Sequence, residues 1–288
     1  MIRFSKYLWL YACISGLVLI PGIYSLIRFG LRASVDFSGG ALVEYRMSKK
    51  VSSTQVKDVA ASVGLTLISV QQSGQSAYIL RMKQEENSKI PAFTAAIERV
   101  ASMSATLVRS EVVGPVLGRE LLTKAMFAAA LAISAILLYV AWAFKNIRFG
   151  VAAVIALLHD LLVVLGSFSI FGYVFGVEVD TLFITAFLTT MSFSVHDTIV
   201  VFDRIREYLR RDRSRPFDEI SDMALTETMN RSLTNSFTIV FMLVALILMG
   251  GETTKWFVVA LLIGTISGTY SSPFVATPVL LLWHRWKK

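Results

Sequence analysis

Charged side chains are scarce in this sequence. Asp, Glu, Lys and Arg make up 17% of its 288 residues, whereas a soluble domain contains about 25%. The mean hydropathy is +0.63, and the apolar residues cluster in runs of roughly the 20 residues that a membrane-spanning helix needs. This composition excludes an ordinary soluble globular protein and indicates an integral membrane protein.

Cysteine and histidine are nearly absent. The chain has one cysteine, Cys13, and three histidines, so it can form neither an intramolecular disulfide nor a thiolate metal cluster. Two of the histidines, His159 and His196, lie in apolar runs. We expect each to be a neutral hydrogen-bonding neighbour rather than a metal ligand. The aromatic residues follow no cofactor-binding pattern, so we expect no cofactor.

Six apolar runs are long enough to cross a membrane. They are 8–27, 123–144, 150–171, 180–202, 233–250 and 256–283. Lys and Arg concentrate at both termini and in the segments 145–149 and 203–231, whereas the loop 172–179 contains neither. Positively charged short loops stay in the cytoplasm, so we expect both termini there. This topology explains the net charge of +8 without a nucleic-acid partner.

The segment between the first two runs has the pattern of a folded domain. Strand patterns cover 41–47, 65–71, 77–82 and 106–112, and helical spacing covers 54–63 and 91–102. The order β-α-β-β-α-β is that of the ferredoxin-like fold. We therefore expect a first transmembrane helix (1–27), an extracytoplasmic ferredoxin-like α+β domain (28–122) and a five-helix membrane domain (123–288).

The long cytoplasmic loop 203–231 contains a second amphipathic pattern. It is helical at both ends and interrupted at Pro216. Apolar residues recur at helical spacing from Phe217 to Leu225, beside acidic residues. This pattern predicts a short helix lying on the membrane surface or on a partner.

Ionisable residues inside the apolar runs mark a candidate site. His159-Asp160 lies in the third run and His196-Asp197 in the fourth. A charge at the bilayer centre costs at least about 2.5 kcal/mol on insertion scales, so its presence suggests a function. Asp197 lies about 8 Å from the cytoplasmic edge at the helical rise. Arg231 enters the fifth run from that same edge, so Asp197 and Arg231 can meet at similar depth.

Arg231 belongs to a polar stripe on one helix face. Glu227, Arg231, Thr234, Asn235 and Thr238 follow one another at helical spacing. Such a stripe must face other helices or water rather than lipid. A carboxylate that gains and loses a proton as its pairing with an arginine changes is the element that a proton-driven machine needs. For Asp160, a static bond to a neighbouring helix is an equal alternative.

The sixth run contains a GxxxG motif. Gly264 and Gly268 are four residues apart in LLIGTISGTY. Small residues at this spacing allow two helix backbones to approach closely. We therefore expect tight helix packing here rather than a ligand site.

Five motifs resemble those of a known family. They are VDFSGG (35–40), VGPVLGREL (113–121), HDLLVVLGSF (159–168), FSVHDTIVVFDRIRE (193–207) and TETMNRSLTNSFT (226–238). In this order they are similar to the motifs of SecF, the smaller half of the SecD–SecF protein-export pair. The resemblance covers nearly the whole chain and agrees with the six spans.

The resemblance implies a fold and a function. The fold is an RND-superfamily half-unit with one periplasmic domain in the bacterial inner membrane. The function is to use the proton-motive force, together with SecD and the SecYEG channel, to help export unfolded polypeptides after the ATPase SecA. The chain itself is then not an enzyme.

The resemblance also implies site residues. The family's aspartate in an Asn-Asp-Thr signature, and an arginine on the next helix, matter for ion coupling and correspond here to Asp197 and Arg231. His196 replaces the usual asparagine and titrates near neutral pH when unperturbed. The expected ion-coupling residues are Asp197, Arg231, His196 and Asp160. No residue is assigned to binding the exported chain.

Two other functions remain as alternatives. The first is a stand-alone exporter of small molecules, although six spans and one outer domain favour a half-unit that needs a partner. The second is an intramembrane aspartyl protease in which Asp160 and Asp197 share a proton. No Gly-x-Gly precedes either aspartate, which disfavours the protease.

Overall fold

The structure, a computed structural model, describes residues 3–48, 51–73, 76–101, 104–144, 146–212 and 214–286. The helices in these ranges are α1 (Leu8–Phe29), α2 (Val35–Ser38), α3 (Ser53–Ser62), α4 (Ile90–Ala101), α5 (Pro115–Phe144), α6 (Ile147–Phe175), α7 (Thr181–Arg211), α8 (Phe217–Met249), α9 (Glu252–Ser271) and α10 (Thr277–Trp286). The strands are β1 (Gly40–Met47), β2 (Leu67–Ser73), β3 (Ala77–Met82) and β4 (Ala105–Val113).

The chain divides into two compact units. The sheet unit consists of residues 32–127 and 178–181. The helical unit consists of α1, α5 from residue 128 onward, and α6 to α10 apart from the first residue of α7. Residues 178–181 therefore pack with the sheet, whereas the apolar pattern predicts residues 178 and 179 in the loop 172–179 and residues 180 and 181 in the fourth span.

The sheet unit has the strand order β2-β3-β1-β4, and the neighbouring strands are antiparallel. One face of β1 is buried: Ala41, Val43, Tyr45 and Met47 are at most 1% exposed. These side chains form a core with residues of α3 and α4. Strand side chains alternate between the two faces, so every second residue of β1 reaches this core. The predicted ferredoxin-like α+β fold is confirmed.

The helical unit supplies the membrane spans. Six helical segments of the described chain are long and apolar enough to cross a membrane. They are Leu8–Phe29, Val116–Val140, Ile147–Phe175, Thr181–Arg211, Phe217–Met249 and Thr254–Trp286. In the most apolar stretch of α6, 61% of the residues are buried, whereas in the corresponding stretch of α5 the share is 0%. The number of spans is as predicted, although several begin earlier than the apolar runs do, and α6 is the central helix of the unit.

The prediction of a short surface helix after Pro216 is wrong. It is the first part of α8, which continues without a break into the fifth span. Phe217, Ile220 and Leu225 are buried in the same core as residues of α6 and α10, and the Phe217 ring stacks on His284. Proline is tolerated before the first helical turn, because no helical donor is needed there. The expected loop 203–231 is therefore mostly helix, and residues 212–216 connect α7 to α8.

The sixth span changes its helical geometry near its middle. Residues Ser272–Ala276 form one π-helical turn between α9 and α10. Pro273 lies in this turn and Pro278 follows it, and neither can donate a backbone hydrogen bond. Short π-helical turns are frequent at functional positions. Here Ser271 immediately precedes the turn and Ser272 is its first residue, and the hydroxyls of both bond to other helices.

Two glycines of α9 allow it to approach α7 closely. A Cβ atom on Gly264 would lie 2.5 Å from Thr190 Cβ, and one on Gly268 would lie 3.0 Å from Ser194 Cα. Both distances are below normal van der Waals separation. The GxxxG motif thus serves tight helix packing, as its spacing predicts.

We expect Gly264→Ala to lower the stability of the helical unit. The added methyl group overlaps Thr190 on α7, and such overpacking costs about 1–3 kcal/mol. Thermal unfolding of the full chain in detergent measures the loss. Gly16→Ala on α1 is the matched control, because its nearest atom would be Ile20 Cδ1 at 3.8 Å. Equal unfolding temperatures for the two variants would contradict the role of this contact.

Candidate functional site

A polar cavity of about 490 Å³ lies between α7 and α8. Its lining residues are His196, Asp197, Val200, Arg231, Ser232, Thr234, Asn235 and Thr238. The cavity brings together three of the four predicted site residues: His196, Asp197 and Arg231. The predicted polar stripe of the fifth span also faces it, apart from Glu227. Polar side chains of α8 thus line this cavity on one side, although Thr234, Asn235 and Thr238 are themselves exposed.

Asp197 is the most enclosed ionisable side chain of this cavity. It is 12% exposed, against 65% for His196. Its Oδ2 accepts a hydrogen bond of 2.5 Å from Ser232 Oγ. The nearest nitrogen of His196, Nδ1, lies 3.6 Å from Asp197 Oδ1, which is beyond a direct hydrogen bond. Among the described residues, a single hydroxyl therefore bonds to the carboxylate, which also lines the cavity.

Arg231 shares the cavity with Asp197 but does not contact it. Within the ranges that the structure describes, no ion pair joins the two side chains. Ser232 occupies the position next to the carboxylate instead. Consecutive residues on a helix point about 100° apart, so only one of Arg231 and Ser232 can face Asp197 directly. The arginine is exposed and lines the cavity wall.

A second cavity, of about 690 Å³, adjoins the first. The two share Val200 and Arg231. The remaining lining residues are Tyr139, Trp142, Ile199, Asp203, Arg204, Arg206, Glu207, Glu227 and Thr228. Together the two cavities form a polar path along α7 and α8, from the charged ends of these helices to Asp197.

Ion pairs hold the charged ends of α7 and α8 together. The Arg204 guanidinium forms ion pairs with both Glu207 and Glu227. Tyr208 Oη donates to Glu227 Oε2 at 2.7 Å. Glu227, the first member of the predicted stripe, therefore joins the two helices and lines the second cavity.

Asp160 lies outside these cavities, in the core of the helical unit. It is 3% exposed. Its Oδ1 accepts from Ser267 Oγ at 2.6 Å, and its Oδ2 accepts from Ser194 Oγ at 2.6 Å and from Ser271 Oγ at 2.5 Å. His159 Nδ1 lies 3.0 Å from Oδ1. The carboxylate thus joins α6 to α7 and α9, which is the static bonding considered above for Asp160.

The two aspartates have separate partners. Asp160 is bonded by three serines, and Asp197 by Ser232. No hydrogen bond links the two carboxyl groups in the described part of the chain. An aspartyl dyad needs two carboxylates that share one proton, so this geometry does not favour the protease.

A third, small cavity of about 20 Å³ extends from Asp197 toward α9. Thr265 lines it, and Thr265 Oγ1 is buried without a protein hydrogen-bond partner among the described residues. A space of this size accommodates about one water molecule. The polar surroundings of Asp197 therefore extend to α9, which also supplies two of the serines that bond to Asp160.

Ser267 and Ser271, which contact Asp160, and Ser232, which contacts Asp197, were not among the residues predicted for the site. Ser267 and Ser271 are one helical turn apart in an apolar span, a spacing that places both on one face. That spacing was the available signal. Ser232 follows Arg231 directly and gave no separate signal.

The fold and the site together define a class of protein: a membrane protein with six spans, a ferredoxin-like unit after the first span and a polar cavity between α7 and α8. The family model "Protein export membrane protein SecD/SecF, C-terminal" matches residues 92–286. The chain is 42% identical to protein translocase subunit SecF of Thermobaculum terrenum and 36% identical to that of Anaerolinea thermophila. Each alignment covers 96% of this chain and 92% of the relative. The chain belongs to the SecF family of protein translocase subunits.

Solved structures agree with this assignment. The crystal structure of SecDF, a translocon-associated membrane protein from Thermus thermophilus, is similar with a TM-score of 0.89 at 27% identity. SecDF in its super-membrane-facing form gives 0.72 at 26% identity. Each match covers 99% of this chain and 39% of the solved chain. The chain thus spans about two fifths of SecDF.

We expect Asp160→Ala to destabilise the helical unit. The change removes the acceptor of three buried serine hydroxyls, and a lost charged hydrogen bond costs about 1.5–3 kcal/mol. Thermal unfolding in detergent measures the loss. Ser134→Ala is the control, because Ser134 Oγ is exposed and bonds only to the Ala130 carbonyl of its own helix. An Asp160→Ala chain as stable as this control would show that the cluster does not support the fold.

Proposed function

We propose that this chain couples the flow of protons across the membrane to the export of secretory proteins, and that Asp197 is the residue that binds and releases the proton. One observation carries the proposal. Asp197 is a largely buried carboxylate in a membrane span, and it lines a polar cavity that also contains Arg231.

The physical basis is the cost of charge inside the membrane. A carboxylate there is stabilised by donors and nearby cations, and protonation removes the need for both. When ionised, Asp197 accepts from Ser232 and is attracted to the Arg231 guanidinium across the cavity. When neutral, it loses that attraction and itself becomes a hydrogen-bond donor. Protonation therefore changes the contact between α7 and α8.

The other two predicted residues have different places in the proposal. His196 lines the cavity and is exposed to it, so we assign it as a second group that passes protons to or from Asp197. Asp160 is enclosed by its own donors. We assign it a positioning role, in which it holds α6, α7 and α9 in place while Asp197 changes its charge.

The proposed partners follow from the family and from the length of the solved relatives. This chain corresponds to 39% of SecDF, so we infer that a SecD subunit supplies the rest of the assembly. We further propose the SecYEG channel as its site of action, after SecA, and an unfolded secretory polypeptide as its substrate. No bond is made or broken in this role, so the chain acts as a transport subunit rather than an enzyme.

We propose the bacterial inner membrane as the location, with both termini in the cytoplasm. The arginines near the ends of α7 and α8 support this orientation, whereas the loop 172–179 contains neither Lys nor Arg. Positive charge in short loops marks the cytoplasmic side. A stand-alone exporter receives no support, because the relatives compared above are translocase subunits.

We expect Asp197→Asn to abolish the stimulation of export by a proton gradient. The amide has the size of the carboxylate but cannot ionise. The measurement is the export of a secretory protein into vesicles that contain the chain, SecD and the channel. Asp58→Asn, at an exposed carboxylate of α3, is the control and should retain stimulation. Normal stimulated export with Asp197→Asn would refute the proton-binding role.

We expect Arg231→Lys to reduce stimulated export several-fold. A lysine keeps the charge but lacks the planar set of donors of a guanidinium. The same vesicle assay applies, with Arg210→Lys at the exposed end of α7 as the control. Full activity of Arg231→Lys would show that charge alone is required at this position.

A further inference from the structure

The connection between α6 and α7 is bonded to the beginning of the sheet unit. Ser34 N–H donates to the Val179 carbonyl at 2.9 Å, and Val179 N–H donates to the Arg32 carbonyl at 2.7 Å. These bonds form an isolated parallel bridge. They attach a four-residue segment, 178–181, to the stretch of chain that follows α1.

Two side-chain contacts reinforce this bridge. Asp36 Oδ2 accepts from both N–H and Oγ1 of Thr181, each at 3.1 Å. Thr181 is the first residue of α7, so Asp36 accepts from a backbone donor in the first turn of that helix. Arg81 of β3 forms an ion pair with Glu178. We refer to the bridge, the Asp36–Thr181 contact and the Arg81–Glu178 pair together as the clasp.

The Arg81–Glu178 pair is buried and incompletely bonded. The two side chains are 13% and 14% exposed. Arg81 Nε and Glu178 Oε2 are buried without a hydrogen-bond partner in the ranges described by the structure. Removing two charges from water can cost more than their attraction returns unless the remaining donors and acceptors are also paired. The ionised form of this pair is therefore costly to keep enclosed.

Burial raises the pKa of Glu178 from its ordinary value of 4.5 to about 7, and the neighbouring charges oppose this only in part. Arg81 and Arg32 lower the pKa, whereas Asp180 of the same segment raises it. The enclosed carboxyl group thus binds a proton more tightly than a solvent-exposed one. Acid favours the closed clasp, and closure is weakened as the pH rises through the pKa.

We propose that the clasp is a pH-sensitive latch. It is closed when Glu178 is protonated and its neutral carboxyl group accepts a hydrogen bond from Arg81, and it is loosened when Glu178 ionises. The latch acts on the segment that leads directly into α7, the helix that contains Asp197. In the proposed topology it faces the outer side of the membrane, which a proton gradient makes more acidic. It is a second proton-dependent element, and it does not rest on the role proposed for Asp197.

Hydrogen exchange tests the latch in the full chain in lipid nanodiscs. The amides of Ser34 and Val179 report closure, because both donate across the bridge. After correction for intrinsic exchange, we expect their protection to fall at least about tenfold between pH 5.5 and 8.5, and to level off above a pH of about 7. In Glu178→Gln, protection should remain at its acid value throughout. Glu111→Gln, in the exposed Arg109–Glu111 pair of β4, should behave as the wild type.

Two further measurements keep the test decisive if Glu178→Gln does not fold. Arg81→Gln removes the cation that lowers the pKa of Glu178, so the pH at which protection levels off should move higher. The carbon-13 shift of the Glu178 carboxyl group in the unaltered chain gives its titration midpoint directly. Titration near 4.5, constant protection in the wild type, or a pH dependence that persists in Glu178→Gln would each overturn the latch.

Discussion

A carboxylate enclosed by apolar helices is stable only where donors surround it, and Asp160 meets this requirement with hydroxyls from two other helices. Ser194 of α7 and Ser267 and Ser271 of α9 all donate to it. These bonds require α9 to lie close against α7, and Gly264 is one of the residues that makes room for this approach. The hydrogen bonds and the close packing therefore depend on each other. Together they fix α6, α7 and α9, and α7 forms one wall of the cavity that contains Asp197.

Asp197 has a carboxyl group like that of Asp160, but the environment of this group is different. One hydroxyl, from Ser232, binds it, and the rest of it faces a cavity shared with Arg231. A carboxylate with few fixed donors responds more strongly to a nearby cation and to protonation than one that is fully bonded. The two environments support the proposal that Asp160 serves as an anchor while Asp197 changes its charge.

Most of the fold follows from patterns that lie within single segments. The six apolar runs, the alternation of β1 and the polar stripe that includes Arg231 are each visible in the sequence. Contacts between segments are not visible in this way, because the donors of Asp160 depend on the register of three helices. The apolar face that begins at Phe217 predicted a surface helix, since a stripe packed against helices has the same spacing as one on lipid. The attachment of residues 178–181 to the sheet unit also had no sequence signal.

The central claim is that Asp197 changes its protonation when a proton gradient is applied. Infrared difference spectroscopy with carbon-13-labelled aspartate, in vesicles that contain the full chain and its SecD partner, measures this directly. The account predicts a protonated-carboxyl band that appears or disappears with the gradient and is missing in a chain without the Asp197 carboxyl group, while Asp160 contributes no change. A gradient that stimulates export without any change in the Asp197 band would contradict the account.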